Sequence, residues 1–90
     1  MAVKVHIPAP MRQHTENLAT VAAAGSTVQA VLDDVCAKYP GITDRLMDKG
    51  QVRRFVNIYI NDEDVRYLDA MQTLVHDGDE LSIIPAVAGG

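Results

Sequence analysis

Three observations predict an α+β domain in which one main helix packs on a mixed sheet of four or five strands. Apolar and polar residues alternate from Val3 to Ile7. A run from Ser26 to Tyr39 repeats its apolar residues at helical spacing behind a capping signal. The second half of the chain consists of short apolar runs separated by turn residues.

In the first run Val3, Val5 and Ile7 share one side and Lys4 and His6 the other, the period of a half-buried strand, and Pro8 and Pro10 stop it. Leu18 to Ala23 alternates more weakly, with Leu18, Thr20 and Ala22 opposed to Ala19, Val21 and Ala23. An antiparallel hairpin with the first strand is the economical pairing. At Gly25-Ser26-Thr27-Val28-Gln29 the period changes: Ser26 is placed to cap a helix and Gln29 to complete a capping box. Val28, Val31, Leu32, Val35, Cys36 and Tyr39 then form one apolar stripe, and Pro40-Gly41 ends it. Ile42 to Met47 predicts one further turn, and Asp48-Lys49-Gly50 a loop.

Phe55 to Ile60 is the richest run in β-branched and aromatic residues and predicts a well-covered strand. Asn61 to Asp64 reads as a turn, Val65-Arg66-Tyr67 as a short strand, and Leu68 to Val75 as an irregular segment. Asp77-Gly78-Asp79 turns the chain into a last strand, Leu81 to Ile84, closed by Pro85. Residues 1–85 are thus expected to form the domain. Ala86-Val87-Ala88-Gly89-Gly90 has no hydrogen-bonding side chain and is expected to be a mobile tail.

Ninety residues make one small core, which buries only roughly 60 to 65% of the unfolded surface and leaves little room for a catalytic cleft. Eight Lys and Arg against twelve Asp and Glu give a net charge of −4, the wrong sign for a nucleic-acid or anionic-membrane ligand. A lone cysteine makes neither an internal disulfide nor a cysteine-based zinc site, so a reducing cytoplasm is the expected compartment. The alternating start is not that of a signal peptide, and no window approaches the ~18 apolar residues of a membrane span.

Conventional chemistry finds no home in the side chains. His6, His14 and His76 are scattered and fit no metal-binding spacing, so they read as surface residues. Cys36 lies on the apolar stripe of the helix, where a thiol packs as a small hydrophobe. Asp62-Glu63-Asp64 lacks the rest of a calcium loop and reads as a solvated turn. Arg53-Arg54 is a basic pair at a strand entrance that could meet a partner's carboxylates. What remains is the end of the chain. At average glycine usage two terminal glycines arise in roughly one chain in 200. Without a Cβ such residues can thread a narrow channel in extended form and leave the terminal carboxylate open to reaction.

Hairpin, capped helix, strand-rich second half and terminal Gly-Gly together resemble the β-grasp sulfur carriers, the ubiquitin-like ThiS/MoaD family. More closely, Gly41 to Asp48, Arg54 to Arg66 and Pro85 to Gly90 are similar to the branch that supplies sulfur for bacterial cysteine biosynthesis. The resemblance implies that an E1-like enzyme spends ATP to adenylate the Gly90 carboxylate, that a sulfur donor converts it to a thiocarboxylate, and that an acceptor consumes the sulfur. In that branch the acceptor is a pyridoxal-phosphate-dependent cysteine synthase, and a zinc metallopeptidase of the JAMM type releases cysteine. The carrier is then a cosubstrate with no bound cofactor or metal, not an enzyme. Gly90 is its reacting site, Gly89 the thin residue before it, and Ala86, Val87 and Ala88 the thread that enters partner active sites. An exposed apolar face of the sheet, with Phe55, Ile58 or Tyr59 as candidates, is expected to assist docking.

Three other readings stay open on sequence alone. One is a ubiquitin-like modifier conjugated through Gly90, and another is the small subunit of a molybdopterin-type synthase. The third is an interaction module whose tail is incidental.

Overall fold

The computed structural model describes residues 2–48, 51–53 and 56–85. The strands are β1 (Ala2–His6), β2 (Thr20–Ala24), β3 (Met47–Asp48), β4 (Gln51–Val52), β5 (Val56–Ile60), β6 (Glu63–Asp64) and β7 (Glu80–Pro85). The helices are α1 (Val28–Lys38) and the single turn α2 (Thr43–Leu46), with short 3-10 turns between. Five strands form one mixed sheet in the order β2-β1-β7-β5-β6, and β3 pairs with β4 apart from it. β1 and β7 run parallel at the centre, while β1–β2, β7–β5 and β5–β6 are antiparallel. The topology is a β-grasp, with α1 clasped against one face of the sheet.

Alternation does the sorting. Val3 and Val5 of β1, Val21 and Ala23 of β2, Ile58 and Ile60 of β5 and Leu81 and Ile83 of β7 all turn inward. There they meet Val28, Val31, Leu32 and Val35 of α1, and every one of these is buried. Each valine, leucine or isoleucine side chain among them contributes about 1.5–3 kcal/mol when fully withdrawn from water. Ile42 and Leu46 of the α2 region close one end of this core, and Val65 and Val75 join it from the turns between β6 and β7.

Several expectations need correction. The cap of α1 is Thr27, whose Oγ1 accepts from the Ala30 amide at 3.1 Å, and not Ser26. The Ser26 carbonyl is taken by the Val75 amide at 2.9 Å, and a bridge between Thr27 and Leu74 keeps the chain extended one residue further. Gln29 therefore completes no capping box; its amide donates to Asp33 Oδ1 at 3.0 Å. β2 begins at Thr20, beyond Leu18, which is exposed.

The expected strand at Val65-Arg66-Tyr67 is a 3-10 turn, and the strand lies before it at Glu63–Asp64. Asn61 and Asp62, at φ 46° and 74°, make the tight two-residue hairpin that sets this register. Asp64 Oδ1 then accepts from the Arg66 amide at 2.9 Å and bends the chain out of the sheet. Asp48, expected to open a loop, pairs with Gln51 in the β3–β4 ladder, and Lys49 and Gly50 of that expected loop lie outside the described residues. The predicted strand start at Phe55 and the predicted tail 86–90 lie outside the described residues.

No helix among the described residues is long and apolar enough to cross a membrane.

Candidate functional site

The candidate site is the face of the sheet turned away from α1, on the strand β7 that precedes the end of the chain. β7 occupies the centre of the sheet, paired with β1 on one side and β5 on the other. Leu81 and Ile83 anchor it in the core, so Ser82 and Ile84 face outward, with Ile84 45% exposed. Across the sheet Ile84 stands opposite Asn57 and Ser82 opposite Tyr59, while His6 flanks Ser82 from β1.

Tyr59, Asp62, Ser82 and Ile84 line a depression of about 320 Å³. A smaller one of about 190 Å³, lined by His6, Asn61, Asp62, Glu80 and Ser82, adjoins it. The face is therefore apolar toward the end of β7 and charged at its beginning. At the charged end His6 Nε2 lies 2.6 Å from Glu80 Oε1. That contact holds the Glu80 carboxyl below the usual carboxylate range. Asp79 is lowered as well, first by the His76 amide and then by the Asn61 side chain.

This geometry sorts the candidate docking residues. Ile58 is buried beneath the sheet and takes no part in an outer surface. Tyr59 is partly buried on the outer face, and Phe55 lies outside the described residues. Ile84 was missed by sequence reasoning. Its signal is the Ile83-Ile84 pair, which breaks the alternation of β7 and forces one isoleucine out.

The remaining singled-out residues are scattered. His6 lies on the outer face, whereas His14 sits against Gly41, close to Asp44, Arg45 and Arg53. His76 is exposed in the turn before β7. Arg53 Nη1 donates to the Asp44 carbonyl at 3.2 Å, and Arg54 is not among the described residues. Among the described residues no three His, Cys, Asp or Glu side chains gather to hold a metal. Cys36 is half-buried on α1, and burial pushes its thiol pKa up, away from the reactive form. Asp64, expected in a solvated turn, is buried and paired with Arg66 Nη2 at 2.7 Å. Ala86, Val87, Ala88, Gly89 and Gly90 lie outside the described residues.

Comparison with known proteins adds four relationships. A family model described as "ThiS family" matches residues 5–90. The sulfur carrier protein CysO of Mycobacterium tuberculosis is 50% identical over 93 residues, covering all of both chains. Small archaeal modifier protein 3 of Haloferax volcanii is 43% identical over 65 residues, 72% of this chain and 71% of that protein. Among solved structures, a chain of the Amycolatopsis orientalis BexX/CysO complex superposes with a TM-score of 0.91 at 47% identity. The superposition covers 99% of this chain and 100% of that one.

Proposed function

The chain belongs to the ThiS family, and from that premise we propose that it is a sulfur carrier protein whose reacting group is the carboxylate of Gly90. The observation that carries this reading is a family match that extends through Gly89 and Gly90 on a β-grasp domain. The identity over full length to a protein named as a sulfur carrier supports it.

The chemistry assigns the chain a defined part. A carboxylate oxygen is a poor leaving group, so an E1-like partner transfers AMP from ATP to the Gly90 carboxylate and releases pyrophosphate. A sulfide-equivalent donor then attacks the acyl carbon and expels AMP, which leaves a thiocarboxylate. The protein acts as a cosubstrate, and the active sites belong to its partners. Residues 86–90 serve as a tail with no bulk beyond Val87, thin enough for a narrow channel, and Gly89 permits extended approach to the reacting carbon. The outer face at Ile84 and Tyr59 is the handle by which the partner grips the domain.

The acceptor we propose is a pyridoxal-phosphate-dependent cysteine synthase, in keeping with the CysO relative, with a JAMM-type zinc metallopeptidase releasing the product. The test is intact mass. Incubation with the activating enzyme, ATP and a sulfur source should exchange one oxygen of Gly90 for sulfur. An unchanged mass while pyrophosphate is released would refute the sulfur step.

The similarity to small archaeal modifier protein 3 favours a second reading, conjugation of Gly90 to lysines of other proteins. Gly-Gly remnants on digested target lysines would select it, and their absence from a full digest would remove it.

A further inference from the structure

The sheet ends on one side at β2, whose outer edge offers backbone groups that could pair with another strand. The opposite edge, β6, spans only two residues and is a poor template. In the β1–β2 ladder the Ile7 amide donates to the Ala19 carbonyl at 2.8 Å. By the two-residue period Val21 and Ala23 bond to β1, and the amides and carbonyls of Thr20, Ala22 and Ala24 point away from it.

That open edge is occupied by two side chains of α1. The Ala24 amide donates to Asp34 Oδ2 at 2.9 Å, and Lys38 Nζ donates to the Ala22 carbonyl at 3.1 Å. Asp34 and Lys38 stand one helical turn apart and form an ion pair at 3.0 Å. Gly25 makes this possible: a Cβ there would lie 2.7 Å from Val31 N, so only glycine lets the end of β2 run this close to α1.

We infer that the Asp34–Lys38 pair is a latch that shuts the β2 edge against strand addition by a second copy of this chain. A second copy is the occupant the edge fits. Antiparallel self-pairing about a two-fold axis sets the same open groups of Ala22 face to face. The outward side chains of β2 are also only Thr20, Ala22 and Ala24, which leave room for a neighbouring strand. The pair is half in solvent, with Lys38 48% and Asp34 29% exposed, so it contributes little to stability. Its effect comes from filling the hydrogen-bonding positions that a new strand would need.

The experiment is sedimentation velocity at rising concentration on three full-length proteins. The native chain should stay monomeric, and Asp34→Ala/Lys38→Ala should shift to a dimer. Adding Ala22→Pro should restore the monomer, because proline removes the edge-facing amide while Val21 and Ala23 still hold β1. The inference fails if the native chain already dimerises through β2, if the double variant melts cooperatively and stays monomeric, or if its dimer survives the proline. Should the double variant not fold, hydrogen exchange on the native protein decides. The latched Ala24 amide should exchange at least about tenfold more slowly than the unlatched Ala22 amide, and high salt should narrow the gap. Equal exchange at the two amides would refute the latch.

Discussion

Asn61 and Asp79, eighteen residues apart in two different turns, are hydrogen-bonded: Asn61 Nδ2 donates to Asp79 Oδ1 at 3.0 Å. Asn61 Oδ1 also accepts from the Glu80 amide at 3.0 Å, and Asp79 Oδ2 accepts from the His76 amide at 2.8 Å. One amide side chain thus ties the β5–β6 turn to the start of β7, the strand that leads toward the proposed reacting end. Asparagine suits the position twice, because it tolerates the φ of 46° and reaches both partners.

Replacing Asn61 by alanine removes two hydrogen bonds and leaves a less tolerant residue in a left-handed turn. The expected loss is about 2 kcal/mol by urea denaturation. Asn61→Gly keeps the backbone conformation but not the bonds, so it should fall between the native chain and the alanine variant. An alanine variant within about 0.5 kcal/mol of the native chain would show that the tie between the turns contributes nothing.

Gly25→Ala places a Cβ 2.7 Å from Val31 N and 2.9 Å from the carbonyl carbon of Ala30, both backbone atoms that cannot swing aside. A loss of about 1–3 kcal/mol is expected. At Gly41 the nearest obstacle is His14 Nδ1 at 3.1 Å, on a side chain that can rotate. Gly41→Ala should therefore cost less than Gly25→Ala, and the reverse order of melting temperatures would contradict this account.

Acid should weaken the fold through four carboxyls held below their ordinary values. Asp34 is lowered by the Ala24 amide and Lys38, Asp64 by Arg66, Asp79 by the His76 amide and Asn61, and Glu80 by His6. A depressed carboxyl contributes stability that is complete above its unfolded value, here 3.8 for Asp and 4.5 for Glu. That stability is lost as the pH falls toward its folded value. The urea midpoint should hold steady from neutral pH to about 5 and decline below about 4.5. A midpoint that is flat or rising at pH ~3 would overturn this assignment.

The faces of the elements were legible in the sequence, and their partners were not. Alternation in Val3-Lys4-Val5-His6-Ile7 and the stripe from Val28 to Val35 named Val3, Val5, Ile7, Val28, Val31, Leu32 and Val35 of the core, because burial on one face imposes those periods. Nothing in those patterns reveals that β1 pairs with the last strand, in parallel, seventy-six residues later in register. The misplaced cap has a related cause: Ser26 is diverted by Val75, a long-range contact that local capping logic does not contain. Asp64 reads as solvated in sequence because its run lacks the rest of a calcium loop, and nothing in that pattern reveals its ion pair with Arg66 two residues on. The reacting end is a proposal that starts from Gly89-Gly90 and the family resemblance, whereas the outward turn of Ile84 needed the register of β7 against β5.

Docking and chemistry should separate under mutation. Deleting Gly89 and Gly90 removes the proposed reacting carboxylate from a segment that follows the core strands. The variant should keep the native melting temperature and form no thiocarboxylate at any concentration of the activating enzyme. Ile84→Lys leaves the tail intact but puts a charge on an outward position of β7 that is 45% exposed. It should fold with less than about 0.5 kcal/mol change in stability. Its adenylation should be restored by raising the enzyme concentration, with kcat/KM about tenfold or more below native and kcat little altered. If Ile84→Lys reacted like the native chain, the partner would grip the domain elsewhere. If it lost kcat as completely as the glycine deletion, Ile84 would belong to the reacting geometry and not to the handle.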